Sequence, residues 1–232
     1  MPEGNFFHYD QAAVDHLARK DKKLAAAMQA IGPVRREVMP DLFQALMHAI
    51  TGQQISMAAQ RTVWGRLCGL LGEVTPQALL AQPQTALQAL GLSARKVDYM
   101  RGIARQVVDG ELDLPGMAAL EDAEVCRRLA ALRGIGVWTA EMLLLFSLQR
   151  PDILSYDDLA IRRGLRMLYR HKEMPRERFE RYRRRFSPYG SLASLYLWAI
   201  AGGALPELDD PAERKKGRSR PAASLKSTVM KD

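Results

Sequence analysis

The sequence predicts an all-α fold, and three observations carry that prediction. Leu, Ala, Met, Gln and Arg dominate the chain, and all five are good helix formers. Apolar residues recur three and four apart through most of its length, the spacing that builds one face of a helix. No segment sustains the every-second-residue alternation of a half-buried strand.

The elements follow in order. Val14, Leu17, Ala18, Leu24 and Met28 form a first apolar face, and Leu42, Phe43, Leu46, Met47 and Ile50 a second. Val63, Leu67, Leu70 and Leu71 form a third, behind Ser56, which can serve as N-cap. Thr75-Pro76 opens a short helix with proline just inside its start. Pro83 and Gly91 bracket another. Ser93 caps a helix from Ala94 to Val108, which Asp109-Gly110 ends. Leu114-Pro115-Gly116 is a turn. Helices are expected over 122–132 and 137–148 with a tight turn between them, and Arg150-Pro151 breaks the second. Residues 158–169 read as helix, Pro175 opens the next, and a last one follows Ser187-Pro188 and runs to Gly202-Gly203. Trp64 and Trp198 fit apolar faces and read as packing. From Leu208 onward the chain is polar and basic and is expected to be disordered.

Composition narrows the classes. A chain of 232 residues, 47% of them hydrophobic, can bury a core in one large domain or two small ones. Charges or glycines cut its longest apolar runs, which argues against a membrane span. Met1 to Asp10 lacks a basic region leading into an apolar one, so no secretory signal is expected. Two distant cysteines, Cys68 and Cys126, make neither a disulfide framework nor a zinc pattern, and a reducing cytoplasm fits. The net charge of +8 suits a phosphate backbone as partner. Basic cytoplasmic proteins without nucleic-acid partners are common, however, and part of the excess sits in the tail, at Arg214, Lys215, Lys216, Arg218 and Arg220.

The most informative segment is Leu132-Arg133-Gly134-Ile135-Gly136-Val137-Trp138-Thr139-Ala140. Two helices meet at a turn with glycines on either side of Ile135. Glycine there permits positive φ and lets a phosphate approach the backbone. The amides from Gly136 onward open the second helix and make an anion site, to which the Thr139 hydroxyl can add a donor. Ile135 is expected to point inward and lock the helices together. A bare Gly-x-Gly between helices is more often an ordinary connection with a glycine cap.

Past the second helix, Ser155-Tyr156-Asp157-Asp158 stands at the head of the next one. Taken alone, these residues read as helix capping, with Asp157 as N-cap or Ser155 and Asp158 as a capping box. Taken with the hairpin, they resemble the helix-hairpin-helix (HhH-GPD) superfamily of DNA glycosylases, most closely its alkylation-repair branch, the 3-methyladenine DNA glycosylase II type. In that branch the hairpin reads G-I-G-x-W-T-A, as Gly134 to Ala140 do, and the acid lies in D-D-x-x-I-[K/R], as Asp157 to Arg162 do. The resemblance spans roughly residues 41–203.

What the resemblance implies is specific. Asp158 is the catalytic acid. Cleaving an N-glycosidic bond builds positive charge on the sugar, which a fixed carboxylate can stabilise while it orients or deprotonates a water. Trp138 is the pocket tryptophan, and its electron-rich ring would attract a cationic base by about 0.5–2 kcal/mol. It also stands where bifunctional relatives carry a lysine nucleophile, so hydrolysis to an abasic site without strand cleavage is expected. Tyr189, in Ser187-Pro188-Tyr189-Gly190-Ser191, resembles the branch's Pro-Trp-x-Ser segment and joins the base pocket. Gln53 and Gln54 fall in the loop that fills the gap left by the flipped base, with Gln54 at the wedge position. Gly134, Gly136 and Thr139 meet phosphate. The backbone carbonyls of Ala130, Leu132 and Gly134 match those that hold a monovalent cation when DNA is bound. No other cofactor is expected, an iron–sulfur cluster included, because no cysteine follows Cys126.

The expected architecture is two helical subdomains with a cleft between them. Residues 41–149 carry the hairpin, residues 1–40 with 150–208 make the other half, and 209–232 form a basic tail. The cleft is expected to be lined by Gln54, Trp138, Asp158 and Tyr189. The N-terminal β domain of the best-known relative looks absent, since the forty residues before Asp41 read as helix. The partner is duplex DNA with damaged bases, bound by a monomer in the cytoplasm or nucleoid. Two other readings stay open: a non-catalytic DNA-binding module, and a glycosylase for a deaminated or oxidised base.

Overall fold

In a computed structural model, which describes residues 5–213, the polar punctuation of the sequence becomes helix starts. Asp10 caps α1 (Gln11–Lys20) and Asp41 caps α3 (Leu42–Gly52). Ser56 caps α4 (Met57–Leu71), Thr75 caps α5 (Pro76–Ala81), and Ser93 caps α7 (Ala94–Val108). In each case the side-chain oxygen accepts an amide that the first turn leaves unpaired. The remaining helices are α2 (Lys22–Ile31), α6 (Gln84–Ala89), α8 (Asp122–Ala130), α9 (Val137–Phe146), α10 (Leu159–Tyr169), α11 (Arg176–Phe186) and α12 (Gly190–Ala201). Among the described residues there is no strand, only an isolated antiparallel bridge between Phe6 and Glu37.

Two expectations about elements change. The first apolar face runs over two helices, because Asp21 ends α1 and caps α2, accepting the Lys23 and Leu24 amides at 3.0 Å each. Its other oxygen accepts Arg185 Nη1 at 2.7 Å, and the carboxylate is buried. The apolar spacing survives the break; the short acid decides it locally. The disordered stretch expected from Leu208 is overturned for residues 209–213. Asp210 is buried and pairs with Arg166 Nη2 at 2.5 Å and Arg163 Nε at 3.7 Å, pinning this end to α10. Arg214 to Arg220 and the rest of the basic tail lie outside the described residues.

Two hydrophobic clusters form the interior. One is built by α3 to α9, from Leu42 to Leu145, together with Phe7, Ile153 and Leu195. The other gathers α1, α2, α10, α11 and α12 around Leu17, Leu24, Phe179 and Phe186. Tyr9, Val34 and Trp198 pack against both. Within the second cluster α10 crosses α12 closely: a Cβ on Gly164 would collide with the Leu197 carbonyl. That approach sets the head of α10 against the Trp198 side of α12.

Candidate active site

The head of α10 is where the sequence's acid becomes a site. Asp158 is the N-cap itself, with φ −77° and ψ 112°, so the helix begins at Leu159 and the cap is Asp158, not Asp157. Its Oδ1 accepts the Ile161 amide at 2.8 Å and the Trp198 indole N–H at 3.1 Å. Its Oδ2 accepts the Trp138 indole N–H at 3.0 Å. The residue is only 6% exposed, yet both oxygens are satisfied by neutral donors, which hold the carboxylate without neutralising it. Capping and site formation therefore coincide in one side chain.

The two indoles come from different halves. Trp138 stands on the first turn of α9 and is 46% exposed. Trp198 stands on α12 and stacks on Phe146, ring centroids 5.4 Å apart at 23°. Trp198, read from sequence as packing alone, is part of the site. A second tie links the same parts: the Ser155 hydroxyl donates to the Glu141 carboxylate, one turn beyond Trp138 on α9. Burial pushes Glu141 above the usual carboxylate range, against the pull of the Ser155 hydrogen bond.

A chamber of about 560 Å³ opens in front of the carboxylate, lined by Asp158, Trp138, Trp198, Met142, Arg35 and Arg36 among others. It shares Trp138, Met142 and Phe146 with a larger cleft of about 690 Å³. That cleft runs between the α3–α4 loop and the hairpin, along Gln53, Gln54, Arg95, Gly134, Gly136 and Thr139. The exposed indole of Trp138 is their common wall.

The hairpin has the expected form. Gly134 sits at φ +89°, and a Cβ there would run into the Tyr99 ring, so conformation and packing both require glycine. Ile135 is buried. Gly136 is the N-cap of α9, no side chain caps the helix, and nothing lies within 4 Å of where its Cβ would be. The amides of that first turn are therefore open to an anion, with Thr139 beside them. Gln53 reaches across and donates from Nε2 to the Gly134 carbonyl at 2.6 Å. Lys96 Nζ donates to the Thr51 carbonyl at 2.9 Å, just ahead of the same loop. Gln54, at the loop tip, is exposed and left-handed at φ 58°. Of the expected cation ligands, the Leu132 carbonyl accepts the Ile135 amide at 3.0 Å and Gly134 accepts Gln53; Ala130 ends α8.

Tyr189 is not brought to the cleft. It precedes α12, meets His16 edge-on at 5.2 Å, and lines a separate hollow with Phe7, Tyr9 and Pro151. A register match to an aromatic position does not fix which side of the following helix the ring takes. Trp198 and Arg36 went unseen for a related reason: one lies in an apolar helix and the other in a short basic pair, and only the crossing of distant elements brings them to the chamber that Asp158 lines.

The comparisons agree with this architecture. Residues 47–188 match the family model for the HhH-GPD superfamily base excision DNA repair proteins, and the chain belongs to that family. It is 30% identical over 209 residues to DNA-3-methyladenine glycosylase 1 of Schizosaccharomyces pombe, covering 87% of this chain and 91% of that one. Among solved structures it resembles a DNA-3-methyladenine glycosidase from Bacillus halodurans, with a TM-score of 0.78 and 34% identity over 88% of this chain and 95% of that one. It also resembles the S. pombe 3-methyladenine DNA glycosylase in complex with abasic DNA, with a TM-score of 0.71 and 30% identity over 81% and 95% of the two chains.

Proposed function

We propose that this protein is a DNA glycosylase that everts an alkylated base from duplex DNA into the chamber beside Trp138 and hydrolyses its glycosidic bond with Asp158. The observation that carries this is the carboxylate, buried and held by three N–H donors at the wall of an open, aromatic chamber. An N-alkylated purine is cationic and already a good leaving group, so its departure needs little more than stabilisation of the sugar cation and a positioned water. The chamber supplies that carboxylate and an indole face for the base. The substrate class is supported by the names of the relatives in yeast and Bacillus.

The reaction stops at the abasic site. The side chain on the first turn of α9 that reaches the carboxylate is an indole N–H, and no lysine is among the residues lining the chamber; a Schiff base needs an amine there. The hairpin amides at Gly136 and beyond hold a backbone phosphate, and Gln54 enters the gap in the stack. The carbonyls of Leu132 and Gly134 each keep a second lone pair, a donor set that suits a weakly held monovalent cation. When bound, the cation would supply charge for a neighbouring phosphate.

The test is a panel of duplexes carrying 3-methyladenine, 7-methylguanine, a deaminated base or an oxidised base, each scored for free base and, without alkali, for strand breaks. Release of methylated purines without nicking is expected. Nicking without alkali would overturn the hydrolytic assignment, and release confined to oxidised or deaminated bases would overturn the substrate class.

A further inference from the structure

We propose that Arg36 is a phosphate ligand for the everted nucleotide, gripping a phosphate that flanks the lesion once the base stands in front of Asp158. This rests on the base-excision reading above. Arg35 and Arg36 line the same chamber as Asp158, Trp138 and Trp198. They lie on the segment joining α2 to α3, whose backbone is firmly held. Phe7 N donates to the Arg36 carbonyl at 2.8 Å, Val38 N to the Asn5 carbonyl at 2.9 Å, and Met39 N to the Phe146 carbonyl, at the end of α9, at 2.9 Å. The Tyr9 hydroxyl bonds both backbone groups of Val34, at 3.0 and 3.1 Å.

The two guanidiniums are not equivalent. Arg35 lies over the Phe6 ring, 4.1 Å from its centroid, and so helps to fasten the segment. Arg36 is exposed and has no acidic partner among the described residues. An unpaired cation at the wall of a chamber that receives a cationic base would oppose that base unless an anion arrived with it. The everted nucleotide brings one: its sugar carries a phosphate on either side, and both turn with it toward the pocket mouth. A guanidinium meets phosphate oxygens in bidentate geometry. Held this way, the phosphate cancels the charge of Arg36 and fixes the deoxyribose against the Asp158 carboxylate.

The test uses a duplex with one tetrahydrofuran abasic analogue and the same duplex undamaged, titrated across salt with wild-type protein, R36A and R36K. R36A is expected to bind the abasic duplex about tenfold more weakly, with a salt slope shallower by about 0.9, the value for one lost phosphate contact. Its affinity for undamaged duplex stays at the wild-type value, and R36K recovers part of the loss. A neutral methylphosphonate at one flank of the abasic site costs the wild type a similar factor and costs R36A nothing more. Equal losses on both duplexes, or additive losses from R36A and the methylphosphonate at either flank, would overturn the proposal. The abasic duplex has no base to excise. A wild-type protein that releases no methylated purine would therefore overturn the substrate class and leave the Arg36 result standing.

Discussion

Three donors converge on Asp158, and they differ in what they do. The Ile161 amide belongs to the helix that the residue caps. Trp138 faces the chamber, where a base would contact its ring. Trp198 is packed against Phe146 and donates its N–H to the carboxylate. Trp198→Phe keeps most of the packing and removes that donor, so it isolates orientation. A lost hydrogen bond to a charged group is worth about 1.5–3 kcal/mol. The expected outcome is a single-turnover base-release rate about tenfold lower with unchanged half-saturation in protein. A purely structural role would move stability and leave the rate of the folded fraction alone. Tyr189, packed on His16, is outside this set.

At the scale of elements, the helix starts were legible and the crossings were not. Caps act over three residues, so Ser56, Thr75 and Ser93 announce themselves in sequence, whereas of the two acids before α10 the sequence offered Asp157 as the cap and the structure uses Asp158. Asp21 escaped because the apolar spacing runs through it unbroken. The hairpin was legible because Gly134 satisfies a local demand of backbone and space. Its partner contact, Gln53 to the Gly134 carbonyl, spans 81 residues and left no local sign beyond a polar loop. The two hairpin glycines also separate by consequence. Gly136 has a negative φ and open space around it, so Gly136→Asp is tolerated. The carboxylate caps α9 and should hold stability level or raise it by a few tenths of a kcal/mol. It also places a negative charge at the proposed phosphate site, and affinity for any duplex should fall about tenfold, measured by anisotropy titration. Unchanged affinity would mean that the hairpin does not meet the backbone.

For the whole molecule, the decisive feature is that the carboxylate sits where two interiors meet. Trp138 comes from the helices of one core and Trp198 from those of the other, and the Ser155–Glu141 hydrogen bond ties the same seam. A cleft between two subdomains was expected there, with Trp138 and Asp158 in it, but not the contacts that build it, because Gly164 against Leu197 and Trp198 against Phe146 are meetings of distant segments. The second half is itself closed by two buried acids, Asp21 with Arg185 and Asp210 with Arg166. Burial raises both carboxyls, but backbone and guanidinium hydrogen bonds outweigh it and leave each below its ordinary value of 3.8. A depressed pKa adds stability above the unfolded value, and the addition is lost as pH falls through the folded one. Urea unfolding should therefore show stability falling as the pH drops to and below the ordinary carboxyl value of 3.8. Asp210→Asn should lower stability by about 2 kcal/mol at neutral pH and flatten that acid slope. A slope unchanged by Asp210→Asn would place the acid sensitivity elsewhere.

The proposed hydrolysis depends on the charge of one side chain, and Asp158→Asn removes that charge while keeping an oxygen to cap α10. The direct measurement is single-turnover release of 3-methyladenine or 7-methylguanine from duplex DNA by this variant, paired with its affinity for an abasic duplex. Base release is expected to fall at least a hundredfold, a loss of about 2.7 kcal/mol in the transition state, with affinity within a factor of about two of wild type. Release at the wild-type rate would contradict the assignment of Asp158 as the catalytic acid.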